Sequence, residues 1–230
     1  MDLFQSADGE IFVFHTGMEP SHLDHHIKIE TYTAAEIKQM RLCNCDLIET
    51  FLPVNTFDEV LEHLKGKCKM NLDRSIGIIE PVMKMVRRHG MEDQILMKSD
   101  PSEQSLKLIE AYAPDIDYMP IFMEEDHASE KIEKMKIHYA GAELVFKTEQ
   151  SPIVQEAYLE QQKKKGRVLW GNAILYSSRV PLAGGHSDDI SLLEDPAQGW
   201  GWLAQKGFDI IQTDWAMHCV NYLRENNYRK

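Results

Sequence analysis

From Cys68 onward, short apolar runs alternate with longer amphipathic stretches, and this rhythm constrains the chain more than any other feature. A strand covered on both faces reads as a short apolar run, and a helix lying on a parallel sheet carries one apolar stripe. Repeated βα units around a parallel sheet are therefore expected. The runs predict strands over 68–73, 94–98, 118–123, 143–147, 167–173 and 208–213. Between and after them the pattern predicts helices over 78–89, 102–111, 128–139, 153–164, around 195–206, and over 217–225. In the first of these, Ile78, Ile79, Val82, Met83 and Val86 fall at helical spacing, so one stripe meets the sheet. Gly90 follows Arg87-Arg88-His89, where basic side chains suit the negative end of the helix and glycine suits a left-handed cap; Gly207 has the same place before the last strand.

Upstream, Leu3-Phe4-Gln5 and Ile11-Phe12-Val13-Phe14 flank an Asp8-Gly9 turn, a hairpin that delivers His15 at its end. Thr33 with Glu36, and Thr56 with Glu59, have the capping-box spacing and predict helices over 33–40 and 56–64. The hairpin plus six later strands suit an α/β fold, a TIM (β/α)8 barrel missing its first strand. An open dinucleotide-binding sheet would show a glycine-rich loop after its first strand, and none is present. With no linker or repeat to divide it, the chain is expected to be a single barrel domain over residues 1–230.

Composition narrows the partners. A net charge of −12 opposes non-specific attraction to nucleic acid and to anionic membrane surfaces. The cysteines at 43, 45, 68 and 219 form neither a CxxC pair nor a dense framework, so free thiols are expected. No apolar run reaches membrane-spanning length, and no basic segment followed by an apolar one opens the sequence. The expected setting is cytoplasmic and the expected partner a small molecule.

In a barrel the chemistry lies at the C-terminal strand ends. The polar residues predicted there are His15, Asp73 with Arg74, Lys98, Glu143, Asn172 and Asp214, with Asp2 inside the first visible strand. Asp2 and Asp73 come from strands expected to be neighbours, and two converging carboxylates suit a hard cation such as Mg²⁺ or Ca²⁺. The competing structural readings are a frayed terminus for Asp2 and a helix N-cap for Asp73. His15 is placed to carry a proton, and Arg74 and Lys98 to meet an anion. Trp215, after the last strand, is expected to face the mouth, whereas Trp170, Trp200 and Trp202 suit the core. The cluster His22-Leu23-Asp24-His25-His26, after Pro20, reads as a surface segment rather than a metal site.

These stretches together resemble the glycerophosphodiester phosphodiesterase family, and the likeness runs over essentially the whole chain. The hairpin from Asp2 through Asp8-Gly9 to Phe14-His15 is similar to the family's E-x-D, D-G and H-D sequence. Val54-Asn55-Thr56-Phe57-Asp58-Glu59-Val60-Leu61 resembles its P-T-L-E-E-V-L segment, and Met70-Asn71-Leu72-Asp73 its N-I-E strand. Residues 206–215 are similar to its closing G-x-D-x-I-x-T-D-x-P. The resemblance implies a TIM barrel that hydrolyses glycerophosphodiesters to an alcohol and glycerol 3-phosphate with a divalent cation, Mg²⁺ or Ca²⁺. Carried over, it makes Asp2 and Asp73 metal ligands and His15 one of two acid–base histidines.

Three positions depart from the family. Its first strand, with His-Arg-Gly and Glu-Asn-Thr motifs, has no counterpart, His15 is followed by Thr16 rather than Asp, and Ser75 stands where the family has Lys. The sequence is thus expected to start downstream of a longer protein's beginning. An unclosed barrel is expected to self-associate, giving a homo-oligomer. The rival expectation is a degenerate barrel that binds phosphodiesters or a protein partner without hydrolysing them.

Overall fold

The computed structural model describes residues 1–175 and 180–229. Two compact units divide them, Met1–Asp117 and Tyr118–Lys230.

In the first unit β1 (Leu3–Gln5) and β2 (Ile11–Val13) pair antiparallel with Phe4 opposite Phe12. Gly9 closes their turn at φ +99°, where a side chain is disfavoured. Asp8 ties the turn to the segment around Ala34: its Oδ1 accepts from Ser6 Oγ at 2.7 Å and from Ala34 N at 2.8 Å. Phe4 stacks on Phe12 at 5.7 Å between ring centroids and meets Phe14 edge-on at 6.5 Å. With Leu23, Ile29, Ile37 and Val54 they form one buried cluster that anchors the hairpin.

The next segment holds short elements that the sequence pattern does not reveal. They are α1 (Glu19–His22), α2 (Ala34–Ile37), and an antiparallel pair, β3 (Arg41–Cys43) and β4 (Glu49–Pro53), with a register shift between Arg41 and Cys43. The helix expected over 33–40 is this four-residue α2, complete with its capping box on Thr33. The histidines of the 22–26 cluster are exposed, and α1 ends in it. Glu19 is buried, its carboxylate accepting from Gly17 N at 2.7 Å and Ile29 N at 3.3 Å.

Regular βα order takes over from there. α3 (Phe57–Leu64) opens on the Thr56–Glu59 capping box and is succeeded by β5 (Met70–Leu72), α4 (Ile79–His89), β6 (Ile95–Ser99) and α5 (Glu103–Tyr112). β5 and β6 pair parallel, Asn71 opposite Leu96 and Leu72 opposite Met97. α4 buries Ile79, Val82, Met83 and Val86, the predicted stripe, and Gly90 ends it at φ +60°.

In the second unit β7 (Asp117–Met123), α6 (Ser129–Ile132), β8 (Gly141–Val145), α7 (Glu156–Lys164), β9 (Val168–Asn172), α8 (Asp188–Leu193), α9 (Trp200–Lys206), β10 (Ile210–Gln212) and α10 (Ala216–Glu225) succeed one another. The four strands pair parallel in chain order. Close packing at β8 and β9 requires glycine: a Cβ on Gly141 would run into Val168 O. The helix expected over 128–139 stops at Ile132, because Tyr139 is drawn into a bridge with Tyr118 and Tyr118 N donates to His138 O at 2.9 Å. α8 is not among the helices expected from the pattern; Ser187 caps it through Ile190 N. Trp200 is buried in the core as expected.

Candidate active site

The hairpin and β5 meet at their acidic residues. Asp2 and Asp73 are partners in a parallel bridge, with Leu3 N donating to Asp73 O at 3.2 Å and Asp73 N to Met1 O at 2.8 Å. Asp2 is therefore held in register rather than frayed. Nor does Asp73 cap a helix: its Oδ1 accepts from Arg74 N at 2.8 Å, and the helical turn at Ile76–Ile78 has no side-chain cap. Both acids are half-buried.

The neighbouring strands bring two more predicted residues to the same place. Phe14 N donates to Asp2 O at 3.1 Å, so His15 lies one residue past Asp2's partner. His15 is half-buried and its Nδ1 is a buried atom without a hydrogen-bond partner among the described residues. On the other side, Lys98 follows Met97, the partner of Leu72 in β6, and is only 3% exposed. A lysine so deeply placed at a strand end carries a cation whose position the sheet fixes.

Arg74 completes the group. Its Nε stands 3.7 Å from Asp2 Oδ1, and Nη1 donates to Thr16 O at 3.2 Å. At φ +51° its backbone is left-handed, a conformation that non-glycine residues rarely hold without reason. Asn71, two residues before Asp73, also buries an oxygen, Oδ1, that has no hydrogen-bond partner among the described residues. Sequence reasoning did not single out Asn71 as a site residue; its strand position two before an acid is the signal that was available.

Other predicted residues fall in the second unit. Glu143 lies in the middle of β8 rather than at its end, because β8 starts two residues earlier than expected. It is buried and accepts from Asn172 Nδ2, while Asn172 Oδ1 is buried without a partner among the described residues. Trp215 is 48% exposed and meets His218 edge-on at 5.5 Å. Asp214 is exposed, and its N–H donates to Asp188 Oδ2 at 2.9 Å. Asp188 is a buried acid the sequence did not mark: it also accepts from Trp200 Nε1 at 2.7 Å and Thr213 Oγ1 at 2.6 Å.

Among the described residues, no group of three or more His, Cys, Asp and Glu side chains is arranged to hold a metal ion. Two adjacent carboxylates are the donors that Asp2 and Asp73 offer. That fits the way Mg²⁺ is commonly held, by one or two carboxylates with water and substrate phosphate filling the other positions, better than a Ca²⁺ cage of six or more protein oxygens. The unpartnered His15 Nδ1 and Asn71 Oδ1 leave further polar atoms beside the pair.

Comparison with known proteins identifies the fold. A glycerophosphoryl diester phosphodiesterase from Parabacteroides distasonis matches with a TM-score of 0.79 at 17% identity, over 98% of this chain and 75% of that one. The chain has the glycerophosphodiester phosphodiesterase fold. That fold is an α/β barrel of the TIM type. An Oleispira antarctica phosphodiesterase, determined with the product sn-glycerol-3-phosphate, matches at TM-score 0.65 and 18% identity, over 97% of this chain and 83% of its own. A Thermotoga maritima glycerophosphodiester phosphodiesterase gives 0.60 and 18%, over 97% and 83%. The sequence model of a domain of unknown function, DUF4996, matches residues 118–223. No curated protein matches the chain. No helix among the described residues is long and apolar enough to cross a membrane.

Proposed function

We propose that the protein, as one barrel domain over residues 1–230, hydrolyses glycerophosphodiesters to an alcohol and glycerol 3-phosphate. The observation that carries this reading is the bridge between Asp2 and Asp73, which sets two carboxylates side by side in a fold shared with phosphodiesterases. Asp2 and Asp73 are assigned as the ligands of a divalent cation, Mg²⁺ or Ca²⁺. Such a cation would neutralise phosphoryl oxygens and so lower the cost of the charge that develops on them.

The chain's own residues supply the rest. Lys98, fixed in β6, gives a stationary positive charge for the phosphodiester, and Arg74 a movable one. His15 is assigned to proton transfer with the departing alcohol, since imidazole both donates and accepts protons near neutral pH. Asn71 offers Oδ1 as an acceptor that a substrate hydroxyl or water satisfies.

The second reading is a barrel that binds phosphodiesters without cleaving them. Among the described residues no group of three or more His, Cys, Asp and Glu side chains is arranged to hold a metal ion, and this favours it. One assay separates the two. Purified protein is incubated with glycerophosphocholine and either Mg²⁺, Ca²⁺ or chelator, and glycerol 3-phosphate is measured. Release that depends on the cation supports hydrolysis. Binding of glycerophosphocholine with no release supports the second reading, and neither binding nor release removes both.

A further inference from the structure

We infer that Arg74 is an internal competitor for the cation site, a tethered positive charge that a divalent cation must displace from Asp2. This rests on the metal-ligand assignment above. Three observations support it. The guanidinium is held over Asp2 at 3.7 Å, beyond hydrogen-bond distance, so the contact is an electrostatic one without a bidentate lock. The Arg74 side chain is 48% exposed and that of Asp2 28%, and ion pairs so accessible to water are weak and easily exchanged. A 340 Å³ pocket lies beside Arg74, lined also by Leu3, Thr16, Glu30 and Ile78, which gives the side chain room to move and Glu30 as another carboxylate to meet.

The contrast with Lys98 makes the assignment specific. Lys98 is buried in a strand and stays where it is, whereas Arg74 sits on a left-handed turn with its head group half in water. Arg74, rather than the strand-held Lys98, is the cation that can leave Asp2 once its Nη1 gives up Thr16 O. Its backbone N–H, donating to Asp73 Oδ1, keeps the base of the side chain anchored while the guanidinium swings.

Breaking a contact between unit charges at 3.7 Å, in a dielectric near that of water, weakens the incoming cation's binding about tenfold. Removing the Arg74 charge should therefore tighten binding about tenfold. Mn²⁺ serves as the probe, with free ion measured by electron paramagnetic resonance on the full chain. Arg74→Gln and Arg74→Gly are both tested, the second because glycine accepts φ +51° without strain. Both variants are expected to bind Mn²⁺ about tenfold more tightly than the wild type, with Arg74→Lys close to wild type. The gain should vanish when Asp2→Asn is added.

Equal binding by wild type, Arg74→Gln and Arg74→Gly would overturn the competitor role while leaving the metal ligands standing. A gain that survives Asp2→Asn would also overturn it. Failure of every variant to bind Mn²⁺ at millimolar concentration would remove both this inference and the ligand assignment.

Discussion

The acids of the two units are used in opposite ways. In the second unit Asp188 is buried and receives three donors, Trp200 Nε1, Thr213 Oγ1 and Asp214 N, that come from α9, the end of β10 and the loop after it. In the first unit Asp2 and Asp73 are half-buried, and their carboxylates meet a distant guanidinium and one backbone N–H. A carboxylate with its acceptor sites filled by the fold stabilises the fold and has little left for a ligand. One that is placed side by side with another acid and only loosely paired costs stability and retains its capacity to bind. Burial alone would have ranked Asp188 above Asp2 and Asp73, and a comparison of their hydrogen bonds reverses that order.

Substitutions break the comparison in different observables. The largest expected effect is on turnover: Asp73→Asn should lower glycerophosphodiester hydrolysis by about a thousandfold, the order lost when a group stabilising transition-state charge is removed. Its urea midpoint should stay near the wild type's. Asp188→Ala should do the reverse, lowering unfolding free energy by about 3 kcal/mol because three buried or half-buried donors lose their acceptor. Denaturant titration of the two variants side by side checks this.

Smaller effects sharpen the same contrast. Thr56→Ala removes the cap of α3 and should cost about 1 kcal/mol in a urea titration. Because Phe12 bridges to Thr56 and Val13 N donates to Asn55 O, this loss should be accompanied by a fall in activity through the hairpin that carries Asp2 and His15.

The smallest effect is a pH dependence in the second unit. Hydrogen bonds from Lys165 and Arg167 hold the Glu133 carboxyl below the usual carboxylate range. Its folded pKa lies below the unfolded value of 4.5, so its contribution to stability is present above pH 4.5 and is lost as pH falls through the folded pKa. A Glu133→Gln variant should melt slightly below wild type at pH 6, and the gap should close on acidification. A gap that widens toward low pH would contradict the assignment. Turnover per folded molecule should not change.

Much of the regular architecture was legible because periodicity survives in single elements of sufficient length. The eleven residues of α4 show three turns of stripe, and the six later strands all lie within their predicted spans or one or two residues beyond them. The short elements of residues 17–53 were not legible, since a four-residue helix or a three-residue strand completes too few periods to stand out. α8 hid for the same reason, although Ser187 before Asp188-Asp189 was a usable start signal.

The candidate site was legible as far as strand position goes: Asp2 and Asp73 are neighbours, as expected of their strands. Pairing could not be read. Nothing in the residue string says that Arg74 would take a left-handed turn and lie over Asp2, or that Asp188 would find donors 12, 25 and 26 residues away. Those are properties of the folded chain.

The proposed role of Asp2 and Asp73 is to form the working centre of a phosphodiesterase. Its most direct test is glycerol 3-phosphate release from glycerophosphocholine by wild type and Asp73→Asn, each with saturating Mg²⁺ and each shown by circular dichroism to be folded. Release by the wild type and its loss in the folded variant are expected. Equal release by both proteins would contradict it.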